Sequence, residues 1–118
     1  TMELESAVAE VEDVAEAAVA AREHDEKGEV PDVYVVLREG VEADDSVKAD
    51  IIEAVEDEIG AFARPSNVIF VEDLPKTRSG KIMRRLLENI SNGDDLGDTT
   101  TLRDPSVPEE IREQVQSD

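Results

Sequence analysis

An α+β fold is predicted for this chain: a small sheet, mixed or antiparallel, packed with helices and followed by an extended C-terminal tail. Three observations point there. "DVYVVLRE" (32–39) is a β-branched and aromatic run, and "NVIFV" (67–71) repeats that chemistry in shorter form, so each reads as a strand. Between them Val47, Ile51, Ile52, Val55 and Ile59 recur at helical spacing and form one apolar stripe. Past Asn92 the periodicity ends, and "GDDLGDTTTLRDPSVPEE" is polar, Gly/Pro-bearing and aperiodic.

The elements follow in order. Residues 2–11 place Leu4, Ala7, Val8 and Val11 on one helical face with Glu3, Glu5, Glu10 and Glu12 outward. Val14 to Ala21 is rich in alanine, and propensity alone extends the helix through it. A polar turn around Gly28 leads into the strand 32–39. Asp44, Asp45 and Ser46 are candidate N-caps for the helix of the apolar stripe, which Gly60 stops. Pro65 marks a turn before the second strand, and Pro75 ends that strand. A loop through Gly80 then feeds a helix with Ile82, Leu86, Leu87 and Ile90 inward. Residues 1–92 thus form the body and 93–118 a tail, wrapped on a surface or partly mobile. A short helix from Pro108 to Gln116 closes the tail, using Ile111 and Val115 as contacts.

At 118 residues the chain has room for one domain with an adequate core. Its only large rings are Tyr34, Phe62 and Phe70, too few for stacking platforms on single-stranded nucleic acid. The absence of cysteine excludes disulfides, zinc–thiolate sites and thiol nucleophiles. No apolar run is long enough to span a bilayer and no signal peptide opens the sequence, so a cytoplasmic location without membrane contact is expected. The chain opens at Thr1 without an initiator methionine, which suggests a piece of something longer.

The formal charge is −19. Disorder, a dedicated basic partner and adaptation to high salt all account for such acidity. The apolar periodicity opposes disorder, and acids spread over every exposed face favour halophilic character, because salt screens their self-repulsion.

Against this acidity "LPKTRSGKIMRR" (74–85) concentrates Lys76, Arg78, Lys81, Arg84 and Arg85, five of the twelve Lys and Arg residues. These could simply form the solvated face of the last helix. "RSGK" resembles part of a Walker loop, but the upstream glycine is missing and Ile82 stands where Ser or Thr is needed. Nucleic-acid binding is opposed by the acidity elsewhere and by the lack of interleaved aromatics.

The stretch also resembles the C-terminal lysine motif of the AMP-forming acyl-CoA synthetases, the adenylate-forming superfamily, which reads Pro-Lys-Thr-x-Ser-Gly-Lys. Pro75, Lys76, Thr77, Ser79, Gly80 and Lys81 match it. "MELESAVAEVEDVAEAAVAAREHDEKGEVPDVYVVL" is similar to the opening of the same domain, and on that ground Val14–Ala21 is read as a strand, giving about three main strands. "LGDTTTLRDP" (96–105) resembles the tail of acetyl-CoA synthetases.

The resemblance implies a mobile lid domain of a larger ligase that makes acetyl-CoA from acetate, ATP and CoA through acetyl-adenylate, releasing AMP and pyrophosphate. Its implied cofactors are ATP, CoA and Mg2+. Lys81 is the implied adenylation lysine, with Lys76, Thr77, Arg78, Ser79 and Gly80 forming the nucleotide loop. An upstream domain of the same chain binds ATP and acetate in such enzymes, so this segment alone is expected to be inactive. Lys81 is also the implied target of a protein acetyltransferase and a sirtuin-type deacetylase. The competing reading is a non-catalytic acidic interaction module with a basic docking or lysine-modification loop.

The chemistry suits the motif. Adenylation presses a carboxylate against the α-phosphate of ATP, and a compact ammonium between the two anions lowers their repulsion. Gly80 permits close approach of the backbone, and Thr77 and Ser79 can close side-chain turns. Arg84 and Arg85 have no assigned contact beyond a positive field that attracts polyanions.

The sequence also departs from the family. The position that holds an arginine for the CoA 3′-phosphate in bacterial acetyl-CoA synthetases is Glu56 here. A cation held by main-chain carbonyls near the end of the first helix corresponds to Ala9, Val11 and Val14, with Val11 standing where the family has histidine. His24, the only histidine, reads as a surface turn residue.

Overall fold

The computed structural model describes residues 2–26, 28–60, 65 and 67–116; Phe62 lies outside them. The elements run α1 (Met2–Ala9), β1 (Val14–His24), β2 (Gly28–Leu37), α2 (Asp45–Glu58), β3 (Asn67–Phe70), α3 (Arg84–Asn92) and α4 (Ser106–Gln116). The sheet has the order β1-β2-β3, with β1 antiparallel and β3 parallel to β2, and is therefore mixed.

Both faces of this sheet are covered, and the period-2 alternation of its strands sorts the core into two halves. Ala17, Val19, Val33, Val35 and Val68 point to one side, where they meet Leu4 and Val8 of α1 and Val47, Ile51 and Val55 of α2. Ala18, Ala20 and Tyr34 point to the other, where Leu86, Leu87 and Ile90 of α3 pack together with Leu96, Leu102, Val107 and Ile111 from the tail.

The Ala-rich segment is the place where local propensity and fold disagree. Val14 to Ala21 belongs to β1, an 11-residue strand, and not to a helix. Its ladder with β2 runs from Val14↔Leu37 to His24↔Gly28. Alanine gains only a few tenths of a kcal/mol per residue from helix over strand-tolerant residues, and burial outweighs that. Ala18 and Ala20 are fully buried, and their small side chains let α3 lie close to the sheet. The first helix accordingly ends at Ala9, two residues short of the expected limit, with Val11 N–H bonding Val8 O at 3.1 Å in a tightened last turn.

β1 is an edge strand, and side chains close its open side. Glu5 Oε1 accepts from Val19 N–H at 3.0 Å. Asn92 accepts from Glu23 N–H at 2.7 Å and donates to Ala21 O at 3.1 Å. The central strand carries Pro31, but β3 pairs only with Asp32–Val35, so Pro31 lies where β2 has a single neighbour.

Other boundaries moved by small amounts. Asp44 is the N-cap of α2, its carboxylate accepting from Val47 N–H at 3.0 Å. The helix α3 begins at Arg84, so Ile82 lies before it, half-buried. α3 stops at Gly93, whose φ of 72° favours a residue without Cβ. The last helix starts at Ser106, not Pro108, because Asp104 Oδ1 accepts from Ser106 N–H at 3.0 Å and opens the turn. Pro108 sits in the first turn, where its missing N–H leaves no intrahelical bond unmade.

One buried charge ties the three strands. Asp32, with its side chain 3% exposed, accepts from Arg22 Nε at 3.1 Å and from Asn67 Nδ2 at 3.1 Å. Asp32→Ala removes the carboxylate that accepts both of these bonds. Arg22 is 27% exposed and rehydrates in part. The expected loss is therefore about 2 kcal/mol, below the range for a fully buried pair. Urea unfolding measures it, and a loss under about 0.5 kcal/mol contradicts this account. Beside it, burial pushes the Tyr34 phenol up to about 12, and its hydroxyl meets Ser91 Oγ at 2.5 Å, which fixes α3 to the sheet.

Candidate functional site: a hairpin that presents Lys81

The basic stretch forms a tight hairpin. Lys76 bridges Ile82 in antiparallel register, Thr77 N–H donates to Lys81 O at 2.8 Å, and Met83 N–H donates to Pro75 O at 2.8 Å. At the tip, Gly80 N–H donates to Thr77 O at 2.9 Å and Gly80 has a φ of 93°, a conformation that a Cβ would strain. The Thr77 hydroxyl closes the turn from inside, accepting from Lys81 N–H at 3.1 Å and meeting Ser79 Oγ at 3.0 Å. Leu74 and Pro75 are buried beneath it and anchor its base.

The tail forms the other wall. Leu102 bridges Thr77, and Arg103 N–H donates to Lys76 O at 2.9 Å. Leu96 and Leu102 are buried against the α3 side of the sheet. The tail is thus a structural support of the loop.

The five cations of the stretch divide into two kinds. Lys76 turns away from the tip to Glu16 at 2.6 Å, with Asp73 at 3.9 Å. Arg84 forms a forked pair with Glu5 of α1, its Nε 3.2 Å from Oε1, and the guanidinium is held charged chiefly by that hydrogen bond. Because Glu5 also caps the β1 edge, this pair joins α3, α1 and β1. Arg85 donates to the carbonyls of Leu96 at 2.9 Å and Asp98 at 2.8 Å, and so straps the tail. Arg84 and Arg85, which the sequence left without an assigned contact, both have specific ones. Arg78 and Lys81 are exposed, and neither side chain has a partner among the described residues. Lys81 also lies three residues before α3, so it is not part of a solvated helix face.

The remaining candidates lie elsewhere. Glu56 is half-buried on α2, across the sheet from α3. Ala9, Val11 and Val14 surround the α1–β1 turn, where Val11 O accepts from Val14 N–H at 3.0 Å and the Val11 side chain packs on the core. No group of three or more His, Cys, Asp or Glu among the described residues could hold a metal ion. His24 Nδ1 accepts from Glu26 N–H at 3.2 Å in the β1–β2 turn. No helix among the described residues is long and apolar enough to cross a membrane.

The profile of the family described as AMP-binding enzyme C-terminal domain matches residues 3–81, ending on the lysine at the hairpin. This chain belongs to that family. As an AMP-binding enzyme C-terminal domain it is 50% identical over 117 residues to an acetyl-coenzyme A synthetase of Gemmatimonas aurantiaca, covering 99% of this chain and 18% of that protein. With its counterpart from Rubrobacter xylanophilus the identity is 52% over 116 residues, covering 98% of this chain and again 18% of the relative. The acetoacetyl-CoA synthetase from Streptomyces lividans shares the fold over 97% of this chain and 17% of its own, with a TM-score of 0.78 at 18% identity. The domain therefore spans about a fifth of the length of such relatives, and its match to the two acetyl-coenzyme A synthetases includes the tail that lies beyond the family profile.

Proposed function

We propose that this domain is the C-terminal part of an AMP-forming acetate–CoA ligase and that Lys81 serves its adenylation step. The reading rests on one observation above all: an exposed ammonium, without a partner among the described residues, carried on a hairpin whose backbone bonds are closed within itself and with the tail. In the reaction an acetate oxygen attacks the α-phosphorus of ATP. The bond from that phosphorus to the oxygen bridging the β-phosphate breaks, and pyrophosphate leaves with the electron pair. The Lys81 ammonium lies between the two approaching anions and stabilises the charge that grows on the α-phosphate. The thiol of CoA then displaces AMP to give acetyl-CoA.

A large upstream domain of the same chain supplies the ATP and acetate sites. Thr77, Arg78, Ser79 and Gly80 shape the approach to the nucleotide, and Lys76 holds the loop through Glu16. Mg2+ belongs with the nucleotide's phosphates, whose charge it offsets; no ligand set for it is assigned in this domain. The Glu56 carboxylate repels a phosphate, so the CoA 3′-phosphate is held by other groups. Lys81 is exposed enough to enter a protein acetyltransferase, and acetylation removes its charge; a sirtuin-type deacetylase restores it. The enzyme works in the cytoplasm.

The deciding experiment compares the two half-reactions in the full-length enzyme. Lys81→Ala abolishes acetyl-adenylate formation and spares thioester formation from supplied acetyl-adenylate. Near-normal adenylation by Lys81→Ala overturns the proposal and favours a docking loop.

The acidity is proposed as halophilic adaptation. At ~1 M salt the screening length falls to about 3 Å, so the repulsion among surface carboxylates fades. The melting temperature is expected to rise steadily as KCl goes from dilute to molar. A flat profile removes self-repulsion as the governing effect.

A further inference from the structure

Arg103 is a cation that the loop motif does not include. Its backbone is fixed to the loop, since Arg103 N–H donates to Lys76 O at 2.9 Å and its neighbour Leu102 is buried and bridges Thr77. Its guanidinium folds over the tip of the hairpin: Nη2 lies 3.7 Å from the point where a Cβ on Gly80 would sit, one residue from Lys81. The Arg103 side chain has no hydrogen bond or ion pair among the described residues. The nearest acids in sequence are turned into their own loops, Asp104 onto Ser106 and Asp98 onto Thr100. In a chain of charge −19, this exposed guanidinium lies over the loop tip, next to the residue before Lys81, and not against one of the many carboxylates.

We propose that Arg103 is a second phosphate-contacting residue of the adenylation site, taking the β- and γ-phosphates of ATP and the departing pyrophosphate while Lys81 takes the α-phosphate and carboxylate. This rests on the adenylation reading of Lys81 given above. The division of labour follows from the two head groups. A planar guanidinium with five forked donors suits the several oxygens of a pyrophosphate, whereas a compact ammonium fits between two converging anions. When the bond between the α-phosphorus and the bridging oxygen breaks, the electron pair goes to pyrophosphate. Arg103 offsets the charge that appears there. Because the tail and hairpin are joined backbone to backbone, Arg103 accompanies Lys81 to the nucleotide and leaves with it. Its effect is therefore confined to the first half-reaction.

The test uses the full-length enzyme, with ATP–pyrophosphate exchange for adenylation and acetyl-adenylate plus CoA for the second step. Arg103→Ala raises the KM for ATP and for pyrophosphate by about tenfold, the size of one charge-assisted hydrogen bond. It leaves the second step and the melting temperature unchanged. Arg103→Lys recovers part of the loss, because charge is kept and the fork is not. ATP and pyrophosphate constants within twofold of the parent enzyme overturn the proposal, as does an equal fall in both half-reactions. Lys81→Ala in the same assays separates the two claims. If it abolishes adenylation while Arg103→Ala changes nothing, only the Arg103 proposal fails; if adenylation survives it, both fail.

Discussion

In the full-length enzyme, Lys81→Ala is expected to lower acetyl-adenylate formation by on the order of 10³-fold, as removal of a single charge-stabilising group does in other acyl- and phosphoryl-transfer sites. That factor corresponds to about 4 kcal/mol of lost transition-state stabilisation. Thioester formation from supplied acetyl-adenylate and CoA is expected to stay within about threefold of the parent enzyme, the signature of a group used in one step only. The substitution is a clean probe because the hairpin does not depend on the side chain. Its bonds run through the Lys81 backbone N–H and carbonyl and the Thr77 hydroxyl, all retained by alanine. Lys81→Arg should restore little, since a broad guanidinium does not fit where a compact ammonium bridges two anions. An equal fall in both half-reactions would indicate a folding defect instead.

The second large effect is structural. Leu86→Ala is expected to destabilise the domain by about 3 kcal/mol, the lower part of the range for a buried leucine that leaves a cavity. For a chain of this length that is roughly a 10 °C fall in melting temperature. Leu86 is fully buried and packs in the cluster that also contains Tyr34, Leu74, Leu87 and the tail residues Leu96 and Leu102. The helix α3 begins three residues after Lys81 and carries Arg85, which straps the tail that in turn pairs with the hairpin. Loosening α3 therefore loosens the loop. Adenylation should weaken together with stability and recover on cooling, unlike the loss in Lys81→Ala. A fall of less than about 2 °C would mean that the α3 side of the core does not anchor the tail and hairpin.

Some of this protein is determined by amino-acid order alone. The stripe of Val47, Ile51, Ile52 and Val55 and the Asp44 cap, a bond three residues long, were enough to read α2 from neighbouring residues. The runs behind β2 and β3 are β-branched and apolar enough to read as strands, though β2 starts at Gly28, earlier than its apolar centre suggests. The side-chain turn of the Lys81 loop was legible too, because it uses contacts between Thr77, Ser79 and Lys81 that the spacing itself brings within reach, whereas the antiparallel bridge of Lys76 to Ile82 that makes it a hairpin was not.

Other features were decided only in three dimensions. Alanines prefer a helix in isolation, yet Val14–Ala21 forms a strand because α1 and α2 cover one of its faces and α3 the other. The cations of the basic stretch look alike in sequence. Partners as distant as Glu5, Glu16 and the Leu96 and Asp98 carbonyls make structural ties of Arg84, Lys76 and Arg85, leaving Lys81 and Arg78 without a partner among the described residues. Arg103 lies within the tail stretch 96–105 but had no role assigned to it, and only the pairing of Leu102 with Thr77 brings it over Gly80. The physical reason is common to these cases. Short-range bonds and periodic burial are written in neighbouring residues, whereas the choice between a strand and a helix, or between a paired and a free charge, is settled by segments that meet only after the chain has folded.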